Sequence, residues 1–197
     1  MPRASAAAAA QTARTVLTSA VDLFAERGFA EVSLDDVAAA AGVTRGAVYH
    51  HYRSKSGLFG AVAAQLQAGV AEAVVAAAGE AGDLPGEQLR AGCHAFLDAI
   101  TAGPAARILL IDAPAVFGWE KWRRLDAENS MVHLREVLQD LGVGEDLLEA
   151  MTVQLSGAMN ESALWIAQQP QQAEARLTAH RSLDRLLSAV IGSRVLR

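Results

Sequence analysis

The segment from Ser33 to Leu58 contains two short helical patterns joined by a tight turn, and it constrains the fold more than any other part of the chain. Ser33 and Asp36 have the spacing of a capping box, in which a hydroxyl and a carboxylate satisfy backbone N–H groups at the start of a helix. Gly42 permits the backbone angles of the turn, and Thr44 is placed to cap a second helix. This arrangement predicts a helix-turn-helix.

The outer face of the second predicted helix carries side chains suited to DNA. Arginine donates two hydrogen bonds to guanine, hydroxyl groups and backbone amides bind phosphate, alanine contacts a thymine methyl group, and glycine allows a close backbone approach. A lysine at the start of the following helix is placed to bind phosphate. A helix-turn-helix shape also occurs as simple packing in helical proteins, which is the alternative interpretation. The predicted DNA-binding residues are Ser33, Thr44, Arg45, Gly46, Ala47, Tyr49, His50 and Lys55.

Residues 42–58, GVTRGAVYHHYRSKSGL, resemble the signature of the TetR family, roughly G-V-S/T-x-G-x-L-Y-x-H-F-x-S/N-K-E-x-L. Val48 replaces the usual leucine, Tyr52 the usual phenylalanine and Ser56 the usual glutamate, whose loss removes a charge from the first turn of the next helix. The extended motif favours DNA binding over simple packing. The residues at signature positions are Gly42, Val43, Thr44, Gly46, Tyr49, His51, Ser54, Lys55 and Leu58.

Abundant helix formers and sparse strand signals predict an all-α fold. We expect a three-helix helix-turn-helix head in a DNA-binding domain at residues 10–53. The resemblance implies a C-terminal helical bundle for ligand binding and dimerisation at residues 54–197. The chain carries six basic and five acidic residues through Leu58, against 11 basic and 17 acidic residues beyond it. Because phosphate repels an acidic surface, we expect only the N-terminal part to contact DNA.

Sequence motifs of catalysis, metal binding and membrane insertion are absent. The single cysteine, Cys93, excludes an internal disulfide, and no spacing of histidine with cysteine is typical of zinc. The chain has no glycine-rich phosphate loop, no G-x-S-x-G and no H-E-x-x-H. We therefore predict no enzyme activity, no catalytic residues, no metal and no cofactor. Without a signal-peptide pattern or an uncharged apolar stretch of membrane-spanning length, we expect a soluble cytoplasmic protein.

Helical periodicity predicts a first helix from about Gln11 to Arg27, ended by Gly28. A fourth helix should begin at Ser54, run towards Gly79 and link the two halves of the chain. Any tilt of this helix would move the recognition helix, so we expect it to transmit a ligand signal. The alternative is that it is a rigid spacer.

The C-terminal part of the chain, called the body, is predicted to contain a fifth helix after Pro85 and a sixth from Ala105 to about Asp112, followed by a break at Ala113-Pro114. Three longer helices are predicted after this break: a seventh from Trp119 to Leu141, an eighth from Glu145 to Gln168, and a last one from Gln171 to about Ile191. Large rings beside an irregular, proline-interrupted backbone leave room for an apolar, ring-containing ligand. The alternative is that these rings are simply core, and Asn160 is equally suited to an interface hydrogen bond. The predicted ligand-binding residues are Phe96, Phe117, Trp119, Trp122 and Asn160.

The last helix carries apolar residues at a near-heptad spacing, which indicates a helix-packing seam. The TetR resemblance implies that the last two helices pair with those of a second subunit in a four-helix interface. We therefore predict a homodimer. Its predicted interface residues are Leu177, His180, Leu183 and Leu187.

Together these features predict a ligand-responsive transcriptional regulator. We expect a repressor that binds a palindromic double-stranded DNA operator as a homodimer and is released by a small hydrophobic effector. One alternative is a constitutive DNA-binding factor whose body has no ligand site. Another is a helical binding module or enzyme with a vestigial DNA-binding head.

Overall fold

The computed structural model describes the backbone of residues 2–127 and 129–192, and the side chains within these ranges except those of residues 2–5, 119, 126 and 130. Its regular secondary structure is helical throughout the described residues, which confirms the predicted all-α fold. The helices are α1 Pro2–Arg27, α2 Leu34–Ala40, α3 Arg45–Tyr52, α4 Lys55–Glu80, α5 Pro85–Ile100, α6 Gly103–Arg107, a π-helix Ile108–Asp112, α7 Ala113–Phe117, α8 Trp119–Ala127, α9 Ser130–Asp140, α10 Glu145–Ala167 and α11 Gln172–Gly192.

The chain forms two compact units, and neither is continuous in sequence. The head unit comprises residues 1–66 and 103–118, and the body unit comprises residues 67–102 and 119–197. These units do not follow the boundary predicted between residues 53 and 54, because the first half of α4 and the segment 103–118 fall in the same compact unit as α1–α3. As functional divisions, 10–53 and 54–197 remain predictions.

In the head unit, α1 is longer than its periodicity predicts. It begins at Pro2 rather than near Gln11, because alanine, which fills residues 6–10, has the highest helix propensity of any residue. The helix ends at Gly28, whose φ of +83° lies in the left-handed region that glycine adopts without strain. This ending is the one that the sequence predicts.

Three phenylalanines form the aromatic centre of the head unit. The ring of Phe59 lies edge-on to those of Phe24 and Phe29, with centroid separations of 5.1 and 5.0 Å. Phe24 and Phe59 are fully buried. Since edge-to-face aromatic pairs stabilise beyond their buried area, this cluster fixes α4 against the end of α1. The start of α4 is therefore held in the core of the head unit, which also contains the helix-turn-helix.

The segment 103–117 is continuous helix, not the helix and proline break that the sequence predicts. The N–H of Ala113 donates to the carbonyl of Ile108, five residues earlier, and Pro114 follows at the start of α7. Proline has no N–H and its ring clashes with a regular α-helical turn. The wider π-turn accommodates it without ending the helix.

The predicted seventh helix is two helices, α8 and α9, in the body unit. Asn129 lies between them with φ −115° and ψ −81°, outside the helical region. Its side-chain amide donates to the carbonyl of Leu125 at 2.7 Å and so closes the end of α8. A local side-chain bond of this kind competes with helix continuation, which explains the break.

Among the described residues, α4 has by itself the length and hydropathy of a membrane span, with a mean hydropathy of 1.5 over its most apolar window. A central helix of a helical bundle meets the same criteria. Leu58, Val62 and Ala63 on α4 are fully buried within the head unit. The longest uncharged run in this helix ends at Glu72.

Candidate DNA-binding surface and ligand cavity

Side-chain caps define both helices of the helix-turn-helix. The N–H of Ser33 donates to Asp36 at 2.8 Å, and the N–H of Asp36 donates to the Ser33 hydroxyl at 3.1 Å, so the predicted capping box is formed. The hydrogen bonds from the Ser33 side chain and backbone lower the pKa of Asp36. Thr44 accepts from the N–H of Ala47 at 3.2 Å and caps α3. Gly42, at φ +65°, makes the turn between the helices.

The outer face of α3 is exposed along its length. Val48 is fully buried and fixes the rotation of α3 against α2, where Val37 is also fully buried. The predicted DNA-binding residues then face outward: Ser33, Thr44, Arg45, Gly46, Tyr49 and His50 are exposed, and Ala47 and Lys55 are half-buried. Tyr49 is an exposed aromatic residue at 55% of its full accessibility. The arrangement presents a row of donors and small residues on one helix face.

Arg45 is held by a neighbour on α2 that the local sequence motif does not indicate. Its Nη1 donates to Oδ2 of Asp35 on α2 at 2.9 Å, and both side chains are more than 60% exposed. An exposed ion pair contributes little to stability. Arg45 can therefore exchange this partner for a base or a phosphate at small cost.

Lys55 is bound within the head unit. Its Nζ donates to the carbonyl of Ala30 at 3.0 Å and lies 4.4 Å from the centroid of the Phe29 ring. The ammonium group has three donors, and the contact with Ala30 uses one of them. Lys55 therefore joins the start of α4 to the end of α1. Its predicted contact with phosphate stays a prediction.

The junction between α3 and α4 is closely packed. The hydroxyl of Tyr52 donates to the carbonyl of Ala13 on α1 at 2.8 Å, and burial raises the pKa of Tyr52. Arg53 adopts φ +66°, which is uncommon for a non-glycine residue. Ser54 accepts from the N–H of Gly57 at 2.9 Å and starts α4. The hydroxyl that distinguishes Tyr52 from the phenylalanine of the signature thus ties α3 to α1.

A half-open cavity of about 210 Å³ lies in the body unit between α4, α5, α9 and α10. Its floor is apolar and its polar residues come from the start of α5 and from α9. The lining residues are Val74, Val75, Ala78, Gln88, Leu89, Gly92, Cys93, Phe96, His133, Leu134, Glu136, Val137, Asp140 and Met159. Burial raises the pKa of the Cys93 thiol to about 12, so this lining sulfur is neutral at physiological pH.

Of the predicted ligand-binding residues whose side chains are described, Phe96 lines this cavity, and Phe117, Trp122 and Asn160 do not. Trp122 and Asn160 are buried in the body unit outside the lining, at 2% and 5% exposure. Phe117 packs against Phe59 in the head unit, with ring centroids 5.4 Å apart. The Trp119 side chain lies outside the described residues. The Trp122 ring fills the core of the body unit, whereas the cavity lies beside small residues such as Ala78 on α4 and Gly92 on α5.

The predicted dimer seam faces largely into the protomer. Leu183 and Leu187 are buried at 2% and 0% exposure, and His180 is half-buried. Leu177 is exposed at 65%. A near-heptad spacing marks the face of α11 that packs within its own chain as readily as one that packs on a partner. An interface on α11 would need residues that are exposed in the single chain, such as Leu177 and Leu186.

An ionic cluster joins α5 to α11 within the body unit. The same pattern, Arg-x3-His-x3-Asp, occurs on both helices and pairs them in opposite directions: Arg90, His94 and Asp98 on α5, and Arg176, His180 and Asp184 on α11. The two imidazole rings stack with centroids 4.3 Å apart. Desolvation raises the pKa of Asp184, but hydrogen bonds from Arg90 and His94 outweigh it and the net pKa is lowered.

We expect this cluster to make stability fall with acid. Desolvation lowers the pKa of His180 from its ordinary value near 6.5, and the attraction of Asp98 only partly offsets it. The unfolded chain then binds more protons than the folded one below about pH 6.5, so the free energy of unfolding should decrease there and be constant above it. Denaturant unfolding at pH 7.5 and 5.5 measures this, and His180→Gln should reduce the loss. The exposed control His50→Gln should not, and equal losses in all three proteins would refute the assignment.

Two family models match this chain, one in its N-terminal segment and one in its C-terminal segment. A family model described as "Bacterial regulatory proteins, tetR family" matches residues 16–62, and one described as "Tetracyclin repressor-like, C-terminal domain" matches residues 86–190. The crystal structure of a TetR-family transcriptional regulator from Pectobacterium atrosepticum is 32% identical, with a TM-score of 0.77, and the match covers 93% of this chain and 96% of that chain.

Two curated relatives match only part of this chain, which spans less than a third of their length. The transcriptional regulator AcrR of Shigella flexneri is 44% identical over 59 residues, and the probable acrEF/envCD operon repressor of Escherichia coli K12 is 39% identical over 59 residues. Each match covers 30% of this chain and 27% of the relative. These relatives are named as regulators or repressors of transcription, not as enzymes. The helix-turn-helix, the helical body and the two family matches show that the chain belongs to the TetR family of DNA-binding transcriptional regulators.

Proposed function

We propose that this protein is a ligand-responsive repressor that acts in the cytoplasm and binds a palindromic operator as a homodimer. The observation that carries the proposal is the exposed outer face of α3, where Thr44, Arg45, Tyr49 and His50 follow a capped turn. Arginine reads guanine in the major groove, and hydroxyl groups with helix N-termini bind phosphate. The functional division at residues 10–53 and 54–197 is part of this proposal.

Dimerisation is supported by apolar side chains left exposed on the last two helices. Trp165 on α10 is exposed at 41%, and Leu177 and Leu186 on α11 are exposed at 65% and 50%. A single helix-turn-helix makes few base contacts, whereas two of them on a two-fold axis read a palindrome. We therefore assign the interface to the outward faces of α10 and α11.

Ligand control is supported by the body cavity. An apolar cavity with a few polar groups at one side is the usual form of a small-molecule site. An effector that lowers operator affinity by one to two orders of magnitude needs about 1.4–2.8 kcal/mol of coupling between the two sites. Since α4 contributes Lys55 to the head unit and Val74 to the cavity, it is the element that we assign to transmission.

The deciding experiment identifies the operator and then asks what releases it. Selection of bound sequences from random DNA, followed by anisotropy titrations, should yield a palindromic site bound at nanomolar concentration. A panel of small amphipathic compounds is then titrated into the complex. Operator binding that no cavity ligand changes would favour the constitutive factor, and the absence of sequence-specific binding would favour a vestigial head.

Two substitutions in the head should weaken DNA binding in different ways. Arg45→Ala should cost about 1–3 kcal/mol at one base position and relax the sequence preference there. Lys55→Ala should weaken all sequences alike and reduce the salt slope by about one unit, because it removes a phosphate contact. Anisotropy titrations against operator variants at several salt concentrations separate the two effects.

The control for both is Arg124→Ala, which removes an exposed cation from α8 in the body unit. It should change neither the sequence preference nor the salt slope. Lys55→Ala also loses the hydrogen bond to Ala30, so its folding is checked by thermal unfolding. If both head variants keep the operator preference and salt slope of the original protein, the docking assignment is wrong.

A further inference from the structure

We infer that Arg53, in the turn between α3 and α4, is an additional DNA-binding residue that contacts a phosphate at the end of the recognition helix. This inference rests on the proposed docking of α3 on DNA and extends it to a residue that the signature motif leaves open. It depends on three features: the lack of an internal partner for the Arg53 side chain, the backbone conformation of Arg53, and the length of α3.

The side chain of Arg53 is exposed and lacks the kind of partner that holds the other arginines and lysines of the head unit. Among the head residues whose side chains the structure describes, it is the arginine or lysine without a hydrogen bond or ion pair to the protein. The sequence has no acidic residue between Asp36 and Glu72, so no carboxylate close in sequence competes for it. Its guanidinium is therefore available to an external anion. The partnered residues are Arg14 with Gln11, Arg27 with Glu26, Arg45 with Asp35, Lys55 with the carbonyl of Ala30, and Arg107 with Asp112.

The backbone of Arg53 adopts a conformation that is costly for a residue with a side chain. The N–H of Ser54 donates to the carbonyl of Tyr52 at 2.8 Å, and Arg53 between them has φ +66° and ψ −34°. A three-residue turn of this kind with positive φ is a γ-turn of the rare and strained type. Elsewhere in the described backbone, positive φ occurs only at glycines. Because backbone strain is concentrated at functional sites, an arginine in place of glycine indicates that the cation has a function here.

The length of α3 suits a contact between Arg53 and the DNA backbone. This helix has eight residues and is therefore about 12 Å long, and the major groove is about 12 Å wide. When Arg45 at the start of α3 reaches the base edges, the other end of the helix approaches a sugar–phosphate strand. Arg53 caps that end, and its N–H donates to the carbonyl of the exposed Tyr49 at 2.9 Å. An arginine at this point can donate two hydrogen bonds to one phosphate.

Three substitutions separate the charge of Arg53 from its backbone strain. Arg53→Lys keeps the charge, Arg53→Ala removes the charge in the same strained turn, and Arg53→Gly removes both charge and strain. Anisotropy titrations of the full chain at several salt concentrations use the selected operator and a scrambled duplex of the same length. For each head bound, we expect Arg53→Ala and Arg53→Gly to bind both duplexes about tenfold more weakly at low salt, with a salt slope reduced by about one unit. Arg53→Lys should keep the slope and lose less than about threefold in affinity.

Thermal unfolding of the same variants excludes a loss of folding as the cause. Arg53→Gly should raise the thermal midpoint by about 2–4 °C, because glycine has no Cβ to strain the turn. It should therefore be the more stable protein and the weaker DNA binder. The matched control is Arg124→Ala, which removes an exposed cation from the body unit and should keep both the affinity and the salt slope.

The inference is overturned if Arg53→Ala and Arg53→Gly keep the affinity and salt slope of the original protein, if their loss is confined to the operator, or if Arg53→Lys loses as much as Arg53→Ala. Arg45→Ala in the same titrations separates this inference from the proposed function. If it relaxes the sequence preference while the Arg53 variants bind like the original protein, the docking stands and the phosphate contact fails. If Arg53→Ala weakens both duplexes alike and the original protein binds both equally, the phosphate contact stands and operator recognition fails.

Discussion

Gly57→Ala is expected to destabilise the head unit by about 3 kcal/mol and to lower its thermal midpoint by roughly 6–12 °C. A Cβ atom at this position would lie 2.2 Å from the carbonyl oxygen of Tyr52, a distance that no side-chain rotation can relieve. Either α3 or the first turn of α4 must shift. Because Tyr52 also ties α3 to α1 through Ala13, the shift should misplace the recognition helix and weaken operator binding as well.

Two other glycines of α4 are matched controls. Gly69→Ala should raise the stability by about 0.5–1 kcal/mol, because no atom lies within 4 Å of its added Cβ and alanine is the better helix former. Gly60→Ala meets only the edge of the Phe117 ring at 3.9 Å and should be tolerated. Thermal unfolding and operator titrations of the three variants measure both effects. Equal stability of Gly57→Ala and Gly69→Ala would show that the junction adjusts freely.

Leu177→Glu combined with Leu186→Glu is expected to convert the protein to a monomer and to weaken operator binding by about 100-fold or more. Both leucines are at least half exposed on α11 within the single chain, so charging them leaves the body core intact. In the proposed dimer they would be buried, and a desolvated carboxylate without a partner is strongly destabilising there. A monomer also loses the avidity of two linked half-site contacts, which is commonly worth about 100- to 10,000-fold.

The control for the charged leucines is Val132→Glu, which places the same charge at an apolar position of α9 that is 45% exposed. Light scattering should give a dimer for this control and a monomer for the double variant. Circular dichroism tests whether both keep their helix content. A folded double variant that remains dimeric, or that binds the operator as tightly as the original protein, would exclude the outward face of α11 from the interface.

Local signals made the helix-turn-helix predictable. The capping box of Ser33 and Asp36, the glycine turn and the Thr44 cap each act within three residues, so spacing in sequence determines their geometry. The partners of Arg45 and Lys55 were not predictable in this way. Asp35 lies ten residues from Arg45 and Ala30 lies 25 residues from Lys55, and only the packing of α1 to α4 brings them together.

The body was less predictable because its helix faces are shared between core and surface. The spacing of Leu183 and Leu187 on α11 fits a subunit interface and a protomer core equally, and burial decides for the core. Aromatic residues indicated a cavity near Trp122. The cavity instead lies beside α4 and α5, where smaller residues such as Ala78 and Gly92 line it. Free space depends on what surrounding helices leave unfilled, which no single stretch of sequence encodes.

The end of α1 is closed by residues that lie some 80 positions later in the chain. The N–H of Phe29 donates to Asp112 at 3.0 Å, and the guanidinium of Arg107 reaches the carbonyl of Glu26 at 3.5 Å. During synthesis the recognition helix is thus complete long before its support is. At about 5–20 residues per second, the ribosome needs roughly 3–10 s to advance from residue 66 to residue 118. A gene fragment that encodes the helix-turn-helix alone would make a head without this closure, so competence to bind DNA should arise late in translation.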